Sequence, residues 1–169
     1  KEEFGLSAFG EGMAVSIVLV GCMIGAAVAG ALSDRLGRRR FMLISAVFFF
    51  GSAIGCAIPQ NLAQFLVFRF IGGLAIGAAS IVCPLYISEI ATPAHRGKLA
   101  GMFQFNIVLG IVVAFLANAL LAGIGDDAWR WMLGVAAVPS VIYTLMCFGI
   151  PESPRWLLTR RGDRAEGLR

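Results

Sequence analysis

The sequence predicts an all-α integral membrane protein, and three observations carry that expectation. Five apolar runs of about twenty residues follow one another, each long enough as a helix to cross the roughly 30 Å hydrocarbon core of a bilayer. Hydrophobic residues make up 59% of the chain and charged residues only 14%, with a mean hydropathy of +0.84; soluble domains carry about a quarter charged residues. The basic residues collect in the gaps between the runs. A water-soluble fold of 169 residues could not hide so much apolar surface. The net charge of +4 therefore reads as a device for orientation in a membrane and not as a nucleic-acid footprint.

Residues 1–11 form a polar, glycine-containing lead-in. Residues 12–32 are the first expected span, with Gly21, Gly25 and Ala29 recurring every fourth residue, the spacing that lets two helix backbones approach closely in lipid. Residues 30–40, GALSDRLGRRR, read as a short polar hinge. The second span, 41–58, repeats the small-residue spacing with Gly51 and Gly55, and Pro59, Gln60 and Asn61 form an uncharged turn. The third span, 62–87, holds one charge, Arg69, followed by Gly72, Gly73 and Gly77. Pro84 falls near its end, where a helix break is best tolerated. A second polar loop, residues 88–98, leads to the fourth span, 99–122, which carries Gln104, Asn106 and Asn118. A turn with Asp126 and Asp127 precedes the fifth span, 131–150, entered through Trp129 and Trp131, an aromatic pair suited to a membrane interface. Pro151 ends it, and residues 152–169 are polar and basic.

Counting basic residues sets the orientation. Arg35, Arg38, Arg39 and Arg40 lie in the first loop, Arg96 and Lys98 in the third, and five arginines follow residue 151. These segments are expected on the cytoplasmic side, which places the C-terminal end of the chain in the cytoplasm. Five spans then leave the N-terminal end outside with no visible signal peptide, and one further helix before Lys1 would make six. The four cysteines sit inside apolar runs with no C-x-x-C spacing, so neither a disulfide framework nor a metal site is expected. No Ser/His/Asp set, H-E-x-x-H pattern or paired intramembrane carboxylates support an enzyme, and no cofactor is implied.

Several motifs carry a resemblance. Gly30, Asp34, Arg35, Gly37, Arg38 and Arg39 follow the pattern G-x-x-x-D-R-x-G-R-R; Arg69, Gly72, Gly73 and Gly77 follow on the third span. Pro84, Tyr86, Ser88 and Glu89, then Pro93, Arg96 and Gly97, make a third motif, and the runs WRWM at 129–132 and PESPRWL at 151–157 a fourth and fifth. In this order they resemble the sugar-porter family of the major facilitator superfamily, bacterial xylose– or glucose–proton symporters and animal facilitative glucose transporters among them. The resemblance implies the N-terminal half of a major facilitator fold, covering helices two to six of twelve, with residues 151–169 starting a cytoplasmic helical linker. It implies transport of a monosaccharide across the cell membrane by alternating access, with proton symport the preferred mode, and a C-terminal half of the same transporter as partner. A transporter-like sugar sensor, or a facilitator of a polyol such as inositol, is the alternative.

Three sets of candidate functional residues follow. Asp34, Glu89 and Glu152 stand beside Arg35, Arg38, Arg39, Arg96 and Arg155. A loop serving orientation alone needs no acids, because acids contribute little to that rule. The residues read as an ion-pair latch, acting as a network because exposed pairs are each worth only about 0–1 kcal/mol. Arg69 lies within the bilayer, where an arginine costs about 2.5–3.5 kcal/mol on insertion scales and needs a partner unless it snorkels. The resemblance implies an aspartate on the family's first helix, expected before Lys1, as that partner and a role in proton coupling; facilitative relatives keep the arginine without the acid, so symport and uniport both stay open. Gln104 and Asn118 fall about 40° apart on one helix face, with Asn106 nearly opposite. An amide both donates and accepts, as sugar hydroxyls do, and the resemblance places a sugar-contacting glutamine at Gln104.

Overall fold

The computed structural model describes residues 8–59, 61–123, 125 and 128–158. Gln60, Asp126, Asp127 and linker residues 159–169 lie outside the described residues. The chain forms α1 (Ala8–Leu36), α2 (Arg38–Ala57), α3 (Leu62–Ile90), α4 (Arg96–Leu121), α5 (Ala128–Gly134), α6 (Ala137–Gly149) and a single turn, α7 (Pro154–Trp156). Among the described residues, five segments are long and apolar enough to cross a membrane, α5 and α6 together counting as one.

The polar hinge expected over residues 30–40 is mostly helix. Helix α1 runs through Asp34 and Arg35 to Leu36, α2 resumes at Arg38, and Gly37 alone reverses the chain. Its φ of 93° is one that L side chains rarely adopt. Gly37 N donates to Ser33 O at 3.0 Å and Phe41 N to Gly37 O at 3.1 Å, so both helix ends stay bonded across a one-residue turn. The charges of the hinge are thereby fixed on helical frames. Helix α3 likewise continues past Pro84 to Ile90, leaving a loop of residues 91–95. The last apolar segment is interrupted at Val135–Ala136. Pro139 has no N–H for the Val135 carbonyl; Val138 N takes that carbonyl instead at 3.1 Å, in a tighter turn.

Helices α1 and α3 cross backbone to backbone. A methyl group at Gly21 would lie 2.6 Å from the Phe70 carbonyl oxygen; at Gly25 it would overlap the Leu74 carbonyl, and at Gly77 that of Cys22. The spacing of small residues thus seats the two helices at the closest approach available to them. Helix α2 joins α3 through Gly55, which lies against the Phe68 ring, and through Ser52 Oγ, which donates to Phe68 O at 2.7 Å. Gly51, expected to share that seam, has open space before it. The core gathers toward the α1–α2 turn: Ala29, Phe41, Met42, Ala78, Val82, Tyr86 and Cys147 are buried together, with Leu43, Cys83, Tyr143 and Ile150 packed against them. Helix α4 buries no side chain among the described residues, and large apolar side chains such as Leu19, Met23, Phe105 and Phe115 stand exposed on α1 and α4.

Candidate functional site

A charged cluster forms where the α1–α2 turn meets the end of α3 and the strap of residues 151–158. Helix α2 begins with three arginines, no acid in its first turn and a glycine N-cap without a side chain. Cations at the positive end of a helix dipole are unfavourable there. Glu152, from the strap, supplies the missing carboxylate: its Oε1 accepts from Arg39 N at 3.0 Å and from Ser153 N at 3.1 Å. The other carboxylate oxygen would sit 2.6 Å from a Cβ at Gly37, so that position is held to glycine by its conformation and by its neighbour. The Arg39 side chain turns to the end of α6 and donates to Phe148 O at 2.8 Å and Cys147 O at 3.4 Å, the favourable end of a dipole for a cation.

Arg38 is the centre of the second half of the cluster. Its Nε and Nη2 donate to the two oxygens of Glu89 at 3.1 and 2.9 Å, a bidentate fork, and Nη1 bonds Ser33 O at 3.2 Å and pairs with Asp34 Oδ1 at 2.8 Å. The Arg38 and Glu89 side chains are 9% and 2% exposed, against 46% for Asp34. The expectation of weak, exposed pairs is corrected here. The Arg38–Glu89 pair is buried, and removing one partner of such a pair costs about 3–5 kcal/mol because the other is left charged and alone.

The strap is tied down at further points. Ser153, fully buried, donates its hydroxyl to Glu89 Oε2 and accepts from Trp156 N at 3.4 Å. Trp156 Nε1 donates to Asp34 O at 2.7 Å, and Tyr86 Oη to Pro151 O at 2.9 Å. The structure therefore brings together Asp34, Arg38, Arg39, Glu89 and Glu152. Arg35 is exposed at the rim of an adjoining cleft of about 1380 Å³, beside Asp34, Arg39 and Glu152. Arg155 is exposed and lines a smaller recess with Asp34, Arg38 and Glu89. Arg96 does not join: it opens α4, exposed, with no bond to the cluster among the described residues. Loop 91–95 and the thin packing of α4 carry it away. Ser33, Tyr86, Ser153 and Trp156 escaped the sequence reading as site residues. A signal existed for Ser153, since Ser followed by Pro is the pattern of a helix N-cap and first residue.

Arg69 lies in the second turn of α3. Its guanidinium carbon stands 5.3 Å from the Phe65 ring centroid, a cation–π contact, while its Nε is buried with no hydrogen-bond partner among the described residues. Gln104 and Asn118 are exposed on α4, with no described neighbour closing over them. Asn106, on another face, lines a cavity of about 500 Å³ with Ser80, Cys83, Phe103, Ser140 and Tyr143.

A bundle of membrane-length helices with this turn-and-strap cluster is a partial fold of the major facilitator superfamily. It superposes on a proton:xylose symporter of that superfamily bound to 6-bromo-6-deoxy-D-glucose with a TM-score of 0.90 at 34% identity, covering 96% of this chain and 40% of that one. The chain belongs to the sugar (and other) transporter family, whose profile matches residues 2–167, and so to a family of transporters and not of enzymes. It is 44% identical over 155 residues to a glucose transporter of Staphylococcus epidermidis, covering 92% of this chain and 34% of the relative. It is 37% identical over 183 residues to the D-xylose-proton symporter of Escherichia coli, covering 93% of this chain and 37% of the relative. The xylose transporter from E. coli in an inward open conformation gives a TM-score of 0.85 at 32% identity, covering 97% of this chain and 45% of that one. The chain thus spans little more than a third of the length of the curated relatives it matches.

Proposed function

We propose that this chain forms helices two to six of a monosaccharide transporter that works by alternating access in the cell membrane, coupled to protons as a symporter. The buried Arg38–Glu89 pair, joined to the strap through Ser153 and to the head of α2 through Glu152, is the observation that carries this reading. It is a closed polar cluster at one end of an otherwise apolar bundle, built from four separate segments, and a two-state machine needs such a bistable contact at its gate. The basic residues put that gate on the cytoplasmic side, with the C-terminal end of the segment inside.

In this mechanism Asp34, Arg38, Arg39, Glu89 and Glu152 hold the cytoplasmic ends of the helices together while the transporter is open to the outside; Arg35 and Arg155 border the cluster. Gln104 contacts the sugar, with Asn118 on the same face of α4, exposed toward whatever the rest of the transporter places opposite. Arg69, with its buried Nε unbonded among the described residues, answers to a protonatable acid contributed by the rest of the protein. The sugar-transporter family, and relatives named as glucose transporter and D-xylose-proton symporter, support monosaccharide and proton as substrates.

The test uses the full-length protein in proteoliposomes with a pH dye outside. Addition of D-xylose or D-glucose should alkalinise the medium as sugar and proton enter together. Sugar entry without proton movement would replace symport by facilitated diffusion.

A further inference from the structure

We propose that Cys83 and Met42 form a binding site for a soft monovalent metal ion of the Cu(I) class, with Tyr143 as hydrogen-bond donor to the bound thiolate. Neither ligand belongs to the charged cluster, and the site does not rest on the alternating-access reading. Three helices meet there: α2 brings Met42, α3 brings Cys83, and α6 brings Tyr143 and Cys147. The Cys83 thiol donates to Met42 Sδ at 3.9 Å, and Cys83 Sγ stands 3.4 Å from Tyr143 Oη. With its one proton directed at Met42, Cys83 takes the Tyr143 hydroxyl as a donor. Cys147, one turn along α6, interacts through its side chain with the same hydroxyl. Met42 and Cys147 are buried. Cys83 is only partly buried and lines the cavity of about 500 Å³ between α2, α3, α4 and α6, which gives a small ion a way in.

Thiolate and thioether sulfurs are soft ligands and select Cu(I) over harder cations. The thiol proton lies between the two sulfurs, and the metal takes its place. The Cys83 S–H bond breaks and a sulfur–metal bond forms; the Met42 lone pair that accepted the proton turns to the metal, and the proton leaves to solvent. No electron is transferred. A separation of 3.9 Å accommodates an ion about 2.3 Å from each sulfur, the usual metal–thiolate length. One thiolate and one monovalent cation sum to zero charge, which an apolar interior tolerates, whereas a divalent ion would leave a buried positive charge. Tyr143 then donates to the thiolate and fixes its orientation, as the outer partners of metal ligands do. Cys56 offers the contrast: it is buried too, but it pairs with Ser52 and not with a sulfur. No local spacing marks the site, since Cys83 is 41 residues from Met42 and 60 from Tyr143.

The experiment titrates Cu(I), kept reduced in oxygen-free buffer, into the full-length protein against a chromogenic Cu(I) chelator, which reads both the number of ions bound and their affinity. The wild type should bind one ion more than Cys83→Ser. Met42→Leu, a swap of similar volume, and Tyr143→Phe should each weaken that ion about tenfold or more. Cys56→Ser removes a buried thiol outside the site and should leave number and affinity unchanged. The ion joins helices that meet only in the folded protein, so Ag(I), a redox-inert probe, should raise the melting temperature of the wild type by more than that of Cys83→Ser. Equal numbers of ions in the wild type and Cys83→Ser would overturn the site. Loss of the ion in Cys83→Ser with unchanged affinity in Met42→Leu would overturn it as well and leave a lone thiol. Zn(II) bound by the same two side chains as tightly as Cu(I) would overturn the assignment to a soft monovalent ion. Should Cys83→Ser fail to fold, Met42→Leu carries the test, and unchanged affinity there overturns the site. None of these readouts depends on sugar movement, so failure here is distinct from failure of the transporter reading.

Discussion

Replacing Arg38 by alanine tests the buried pair at its centre. The substitution removes two bonds to Glu89, one to the Ser33 carbonyl and one to Asp34. Asp34 is nearly half exposed and water can take the place of Arg38 there. Glu89 has no such recourse: at 2% exposure it keeps only the Ser153 hydroxyl among the described donors. The cost to the closed cluster is set by that stranded carboxylate, about 3–5 kcal/mol, or at least about a hundredfold in the equilibrium between closed and parted clusters. Transport by the full-length protein should fall, since one half of the cycle is no longer held, whereas a sugar site remote from the cluster should keep its intrinsic affinity. Adding Glu89→Gln should return part of the loss, because no buried charge is then left unpaired, giving a coupling energy of at least about 1 kcal/mol. Radiolabelled sugar uptake and thermal melting of the four proteins complete the cycle. Additive losses, or wild-type uptake by a well-folded Arg38→Ala variant, would mean that the buried Arg38–Glu89 pair does not hold the cluster closed.

Other substitutions probe other parts of the molecule. Gly25→Ala places a methyl group into the Leu74 carbonyl and should cost about 1–3 kcal/mol as the helices are forced apart, seen as a lower melting temperature, while Gly51→Ala, which meets open space, should be neutral or better. Gln104→Ala should weaken sugar binding by about 1–3 kcal/mol in calorimetric titration of the full-length protein, and Asn106→Ala, which alters the cavity between helices, should do much less; equal losses would sink the assignment. Arg69→Lys should fold but lose proton-driven accumulation while retaining counterflow exchange, because lysine lacks the planar fork needed for a fixed pairing; wild-type accumulation would leave snorkelling as the role of Arg69.

The helical bundle was legible because apolar runs near twenty residues have few other uses, and a close-packing face on α1 because Gly21 and Gly25 carry helical spacing; that α3 is its partner was not, since the spacing names no partner. The shape of the α1–α2 turn was not. Composition marked residues 30–40 as polar, yet polarity does not distinguish a loop from two charged helix ends, and the turn depends on the single positive φ of Gly37. The break at Val135–Ala136 follows from Pro139 and leaves no mark in hydropathy. Asp34, Arg38, Glu89 and Glu152 were readable as charges out of place in an apolar chain. Their pairing was harder to read, since Arg38 meets Glu89 across 51 residues and Arg39 meets Glu152 across 113, separations over which local pattern carries no information. For the same reason Arg96 was grouped with the cluster although α4 holds it apart, and Ser153 and Trp156 were seen only as letters of a motif. The amides of α4 were placed by helical phase and, for Gln104, by the family resemblance, and the exposed face of that helix adds no contact to refine them.

Sugar counterflow is the decisive measurement for alternating access. Proteoliposomes bearing the full-length protein are loaded with unlabelled D-xylose or D-glucose and diluted into trace labelled sugar. An alternating-access transporter gives a transient accumulation of label that saturates with sugar concentration and decays as the gradients dissipate. Sugar binding by the purified protein with no entry of label into the liposomes would contradict alternating access and identify a receptor in place of a transporter.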